Sequence, residues 1–275
     1  MDYILYLLIF CIGTVFGSFF TLAVYRIPLR QDITHTRSYC PKCNHKLSFW
    51  DMIPILSYVF LGGKCRYCKQ KIRPRYLLLE ILSGIVFVLF AISIRFSIWN
   101  VVFLDKQVIS YLVAGLLYIA TLFIIAGIDK ENIKIEKPVL LFGFICVTLY
   151  MMYLYIVGIE TNVYRYVICL VCFLILTFTD TIYIRKNAKE NYTIDILLLL
   201  IVMIMFTYET VCIYTIIITM VAIAIQLILK RICIKKNKCV KKQETVNTKI
   251  PIGFYMCIAN IVALIVSNLY IFYYL

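Results

Sequence analysis

Acidic residues are scarce in this chain. It has fourteen Asp and Glu among 275 residues, against twenty-eight Lys and Arg. An acid in or beside a membrane span is costly and marks a functional candidate, so each carboxylate that borders an apolar run stands out. Long polar stretches are scarce as well. None exceeds about fifty residues, which argues against a separate soluble core domain. No G-x-G-x-x-G loop occurs anywhere, so no Rossmann-type nucleotide cradle is indicated. The first apolar run has no basic segment before it and ends in Tyr25-Arg26. It is expected to be a span and not a cleavable signal.

Hydrophobicity dominates what is present. The chain is 63% hydrophobic with a mean hydropathy of +0.93, whereas a soluble domain is nearer half apolar. Apolar runs cover about 3–25, 77–94, 108–128, 138–158, 163–184, 194–209, 211–229 and 251–275. Runs of this length predict an all-α polytopic membrane protein with about eight transmembrane helices. The two runs that meet near 208–211 are read as two spans, because about 36 residues are too many for one crossing.

Charge tests the count. The loops 26–76, 129–137, 185–193 and 230–250 hold 11, 3, 3 and 8 Lys and Arg, 25 of the 28 in the chain. With eight spans these loops share one side, and only Arg95, Lys106 and Arg165 lie on the other. The positive-inside rule then puts the four basic loops in the cytoplasm and both termini outside. The net charge of +14 is explained by this topology and by attraction to anionic lipid of the bilayer, not by nucleic acid.

The longest polar segment, 26–76, carries Cys40-Pro-Lys-Cys43 and Cys65-Arg-Tyr-Cys68. Two such pairs, twenty-one residues apart, have the spacing of a tetrahedral four-thiolate site. A structural zinc on Cys40, Cys43, Cys65 and Cys68 is the expectation, since disulfides do not persist in a reducing cytoplasm. A redox dithiol is the alternative. Lys42, Lys46, Lys64 and Arg66 would offset the charge of the bound cluster. His35 and His45 lie nearby and are read as exposed polar residues. Cys11, Cys146, Cys169, Cys172, Cys212 and Cys257 sit in apolar runs as small hydrophobes. Cys233 and Cys239 lie in the last basic loop. The expected organisation is a first transmembrane helix (1–25), a zinc-knuckle domain (26–76) and a seven-helix membrane domain (77–275).

Several segments together resemble the type IV prepilin leader peptidases, GxGD-type intramembrane aspartic peptidases that often also act as N-methyltransferases. They are Gly17-Ser-Phe-Phe-Thr-Leu-Ala-Val-Tyr-Arg-Ile-Pro28, Ser38-Tyr-Cys-Pro-Lys-Cys-Asn-His45, Trp50-Asp-Met-Ile-Pro-Ile-Leu-Ser-Tyr58, Cys65-Arg-Tyr-Cys68, Arg73-Pro-Arg-Tyr76 and Glu80. The likeness is dense over about 13–90 and continues thinly to Lys249-Ile-Pro-Ile-Gly253. Thr21 stands where the family usually has Asn. The resemblance implies an eight-span enzyme of the bacterial cytoplasmic membrane. It implies cleavage of the short basic leader of pilin-like precursors after a glycine, and S-adenosylmethionine as methyl donor.

Two carboxylates have the matching position. Asp129 ends the third run in Ile124-Ile-Ala-Gly-Ile-Asp129, and Asp195 opens the sixth in Tyr192-Thr-Ile-Asp195. The charge-derived topology puts both at the cytoplasmic edge. Two carboxylates in one desolvated site do not easily both ionise, so one acts as acid while the other activates water. Taken singly, each is also explicable as an interfacial acid, and the dipole alone favours Asp195 at a helix start. The family pairs an Asp at the end of one span with the Asp of a Gly-x-Gly-Asp motif sixty-odd residues on. Asp129 and Asp195 are sixty-six apart, and the motif's glycines would fall on Tyr192 and Ile194. Asp180 is the rival, fifty-one residues from Asp129, with Arg185 near enough to snorkel toward it. Beside the peptidase stand two other readings. One is a degenerate relative acting as a scaffold for pilus, secretion or competence machinery. The other is a transporter, against which the acids cluster at one face instead of lining a midplane path.

Overall fold

The computed structural model describes residues 2–33, 38–40, 42–159, 163–187, 191–236 and 250–274. His35, Cys239 and Lys249 lie outside the described residues, as does most of the basic loop 230–250. In chain order the helices are α1 (Asp2–Arg26), α2 (Leu56–Phe60), α3 (Arg75–Ser93), α4 (Ile98–Val102), α5 (Lys106–Asn132), α6 (Lys137–Ile156), α7 (Val163–Asn187), α8 (Tyr192–Phe206), α9 (Glu209–Lys236) and α10 (Ile252–Tyr274). Among the described residues there is no β-strand, only two isolated antiparallel bridges. The expected all-helical membrane architecture is what the chain adopts.

Among the described residues seven helices are long and apolar enough to cross a membrane. The eighth apolar helix, α8, has 15 residues. At 1.5 Å per residue it spans about 22 Å, short of a hydrocarbon core of about 30 Å. Its ends are set chemically. Asn191 accepts from the Thr193 N–H at 3.1 Å and caps the start. At the other end Arg165 donates to the carbonyls of Ile204 and Thr207, a cation on the negative end of the helix. The chain restarts as α9 at Glu209, so the apolar stretch through 194–229 is two helices.

The chain forms two compact units, Met1–Ala120 with Asn268–Leu275, and Thr121–Ser267. In the first, α1 packs along α3. Gly13 and Gly17 of α1 form a G-x-x-x-G face, which lets helix backbones approach closely. A Cβ on Gly13 would sit 2.7 Å from the Gly84 Cα, and one on Gly17 would sit 2.8 Å from the Glu80 Cα. The Ser83 hydroxyl donates across the contact to the Gly13 carbonyl at 2.8 Å. Phe20, Ala23, Phe87, Phe90 and Ala91 are buried, and Phe16 of α1 meets the Phe87 ring of α3 with centroids 5.8 Å apart. In the second unit α8 packs on α6 and α7. Phe144 stacks on Phe173 with ring centroids 3.8 Å apart. A buried pair, Asn260 donating to the Thr215 hydroxyl at 3.1 Å, ties α10 to α9.

Candidate functional site

Two clusters carry the chemistry, one in each unit. The first is built from two copies of one small turn. Tyr39 bridges Lys46 around the first cysteine pair, and Lys64 bridges Lys71 around the second. In both, the first cysteine's N–H donates to the residue five positions on: Cys40 to His45 at 3.0 Å, Cys65 to Gln70 at 2.8 Å. In both, the residue four positions on turns back with positive φ, Asn44 at 55° and Lys69 at 56°, and donates to the first cysteine's carbonyl. Each tight turn aims two sulfurs to one side.

The four sulfurs of Cys40, Cys43, Cys65 and Cys68 lie within 4.8 Å of one another. Cys40 and Cys68 are 3.8 Å apart, far beyond the roughly 2.05 Å of a disulfide. A tetrahedral metal with bonds of about 2.3 Å sets its sulfurs about 3.8 Å apart, so the cluster fits a four-coordinate ion. The sulfurs also share their protons unevenly. Burial pushes the Cys40 thiol up, but the backbone N–H groups of Cys43 and Lys42 and the neighbouring sulfurs outweigh it, lowering it to about 7. At Cys68 the Gln70 backbone pulls down, while burial and the other three cysteines push the thiol up to about 11. His45 stacks against Tyr67 with centroids 3.5 Å apart and is not part of the cluster. Asp51 braces the domain. Burial raises its carboxyl, yet hydrogen bonds from Arg66 at 2.6 Å and from Ser48 hold it below the usual carboxylate range.

The second cluster centres on Asp129, fully buried in the last turn of α5. The Tyr192 hydroxyl reaches both its oxygens, at 2.9 and 3.1 Å. The Phe254 N–H donates to Oδ2 at 2.8 Å, and the Gly253 N–H donates to the Tyr192 oxygen at 3.2 Å. The starts of α8 and α10 therefore converge on the end of α5. Gly253 permits this approach, since a Cβ there would lie 3.1 Å from Asp129 Oδ2 and 3.2 Å from Ile135 Cδ1.

Asp195 is buried in the first turn of α8, three residues after Tyr192 and hence on the same face of the helix. Asp180 is buried in α7 and ion-paired with Lys137, the first residue of α6. The cation on Asp180 is thus Lys137 and not the nearby Arg185. Tyr192 and Lys137 were not legible as site residues. A tyrosine at an apolar helix start reads as an interfacial anchor, and Lys137 is one of three basic residues in its loop. Gly253 had a signal, as the last residue of the Lys249–Gly253 match.

These features define a multi-pass membrane protein with a four-cysteine, metal-binding type of domain between its first two spans. Residues 11–94 match the Bacterial Peptidase A24 N-terminal domain, and the chain is similar to curated proteins named prepilin leader peptidase/N-methyltransferase. It is 38% identical over 89 residues to the prepilin leader peptidase/N-methyltransferase of Vibrio cholerae, covering 30% of this chain and 35% of that protein. It is 33% identical over 130 residues to the Klebsiella pneumoniae protein of that name, covering 45% and 52%. The Bacillus subtilis protein of that name is 33% identical over 135 residues, covering 49% and 50%. The chain thus spans about a third to a half of the length of these curated relatives. No solved structure matches it at a significant level.

Proposed function

We propose that this protein is a prepilin leader peptidase of the bacterial cytoplasmic membrane, with Asp129 and Asp195 as its catalytic carboxylates. The observation that carries the reading is the convergence on Asp129. A buried acid at a helix end receives the starts of two other helices, and Asp195 lies one turn further along the face that makes the contact. Burial of acids at one site is the arrangement general acid–base chemistry needs. One carboxylate takes a proton from water as the water oxygen attacks the scissile carbonyl carbon. The other gives its proton to the carbonyl oxygen, and collapse of the tetrahedral species passes a proton to the leaving amine. Asp180 has a structural role in this reading, with its charge offset by Lys137. Substrates are membrane-anchored precursors with short basic leaders. With the 15-residue α8 counted as a short eighth crossing, the four basic loops face the cytoplasm and both termini lie outside.

Zinc is the metal we assign to Cys40, Cys43, Cys65 and Cys68. All four ligands are protein thiolates, so the ion has no open position and its work is structural. The ion would cross-link the two knuckles, and removal is expected to unfold residues 38–72. N-methyl transfer is the second activity in the relatives' name. Among the described residues nothing defines a place for S-adenosylmethionine.

One observation favours a second reading. Tyr192 stands at a glycine position of the family motif, and its phenol lies on Asp129. A chain whose carboxylate is so covered would serve as a scaffold for pilus, secretion or competence machinery. Incubating the purified protein with a prepilin separates the two. The peptidase releases the leader, and Asp129→Ala abolishes release. A scaffold leaves the precursor intact.

A further inference from the structure

We propose that residues Phe49–Leu61 form an interfacial segment, seated in the headgroup–acyl boundary of the leaflet beside the four-cysteine domain, with anionic phospholipid as its partner. The segment is turned inside out relative to a water-facing loop. Phe49 is 73% exposed, Trp50 70%, Val59 61% and Phe60 83%. Its acid, Asp51, points inward instead, its side chain 2% exposed and held by Arg66 and Ser48. Apolar side out and charge in is the pattern of a surface that meets lipid. Trp and Phe suit that boundary because their rings tolerate one wet edge.

The depth of the segment is fixed by a hydrogen bond. The Ile55 N–H donates to Glu80 Oε2 at 2.8 Å. Glu80 is the sixth residue of α3, about 7.5 Å along that helix from its first residue. Ser18 of α1 also hydrogen-bonds Glu80, and it lies eight residues before the end of α1 at Arg26, about 12 Å in. The headgroup zone on one side of a bilayer is about 5–8 Å thick. With the ends of α1 and α3 at the outer edge of the headgroups, the backbone at Ile55 reaches the level of the hydrocarbon boundary.

The chain is strained to make that contact. Ile55 has φ 61° and ψ −55°, and the Leu56 N–H closes onto the Pro54 carbonyl at 2.6 Å. This is a γ-turn of the rare strained hand, at a β-branched residue. Such a conformation persists only where the surroundings over-determine it. Glu80 supplies such a constraint through its bond to the Ile55 N–H. A cleft of about 360 Å³ runs between Trp50, Leu56 and Phe60, with Arg66 at its rim. The segment 26–76 holds eleven Lys and Arg against two Asp, a charge complementary to anionic lipid. A membrane precursor and a second copy of the chain are the competing occupants.

Trp50 and Trp99 are the two tryptophans of the chain, so Trp99→Phe leaves Trp50 as the sole reporter. The variant is reconstituted in nanodiscs containing phosphatidylglycerol or phosphatidylcholine brominated near the carbonyl end or near the chain end. Expected is a blue-shifted Trp50 emission, quenched about twofold or more by phosphatidylglycerol brominated near the carbonyl end. Weaker quenching is expected from the chain-end label and from brominated phosphatidylcholine. Quenching by aqueous iodide and by neither lipid overturns the depth. Equal quenching by the two brominated headgroup classes overturns the partner. Shielding from bromine that appears only on adding precursor, or only at high protein density, assigns the patch to precursor or to a second copy and overturns the proposal. Should Trp99→Phe fail to fold, the difference spectrum between the unaltered protein and Trp50→Phe reports the same signal.

Discussion

Tyr192→Phe removes one oxygen from the carboxylate site and leaves the ring in place. The phenol donates to both Asp129 oxygens at 2.9 and 3.1 Å and accepts from the Gly253 N–H at 3.2 Å. Without it, Asp129 keeps the Phe254 N–H at 2.8 Å, and the Gly253 amide loses its acceptor. A hydrogen bond to a charged group contributes about 1.5–3 kcal/mol. If that energy serves to orient Asp129 for the chemical step, its loss lowers kcat about ten- to 150-fold. KM should stay nearly constant, since the bonds removed are to Asp129 and Gly253. The assay is leader release from a purified prepilin in detergent, with kcat and KM resolved and folding checked by thermal unfolding. Unchanged kcat in Tyr192→Phe refutes the orienting role. A faster enzyme on Tyr192→Gly refutes it more sharply, because the ring would then be an obstruction, as the scaffold reading requires.

Other perturbations test the supports of the site. Chelation should remove one zinc per chain and loosen the four-cysteine domain, and each Cys→Ser change at 40, 43, 65 or 68 should lower metal content, read by metal analysis. A stably folded Cys40→Ser protein that is dead in cleavage would contradict a purely structural metal. Asp51→Asn should destabilise the domain by about 1 kcal/mol at neutral pH, a figure kept small because Arg66 is half exposed. The folded carboxyl of Asp51 sits below its unfolded value. Its contribution is therefore complete above about pH 4 and disappears as pH falls through the folded value, where variant and wild type should unfold alike. Gly17→Ala puts a Cβ 2.8 Å from the Glu80 Cα and 2.1 Å from the Ser83 hydroxyl, and should cost about 1–3 kcal/mol in thermal unfolding. Lys137→Met leaves Asp180 buried without its cation and should cost about 1–3 kcal/mol after allowing for the partial exposure of Lys137, with Lys137→Met/Asp180→Leu recovering most of it.

Helix number and the cysteine cluster could be read from the chain because each follows from a local rule. Apolar run length sets the spans, and C-x-x-C spacing sets the sulfurs. Helix ends were harder. Hydropathy does not reveal that α8 stops at Phe206, because Arg165, some forty residues earlier, caps it. Partner choice was harder still. Lys137 and Arg185 flank Asp180 equally well in a topology diagram, and only packing of α6 against its neighbours selects the lysine. Tyr192 escaped notice for a different reason. The family pattern marks its position for glycine, so a side chain there reads as a loss, whereas the phenol makes the closest side-chain contact described for Asp129.

The assignment of the two carboxylates is tested most directly by leader cleavage with three single variants, Asp129→Ala, Asp195→Ala and Asp180→Ala, each verified as folded by its thermal unfolding. Asp129→Ala and Asp195→Ala are expected to leave the precursor uncleaved. Asp180→Ala is expected to cleave it at whatever level its reduced stability allows. Cleavage by Asp195→Ala together with a dead, folded Asp180→Ala would contradict the assignment.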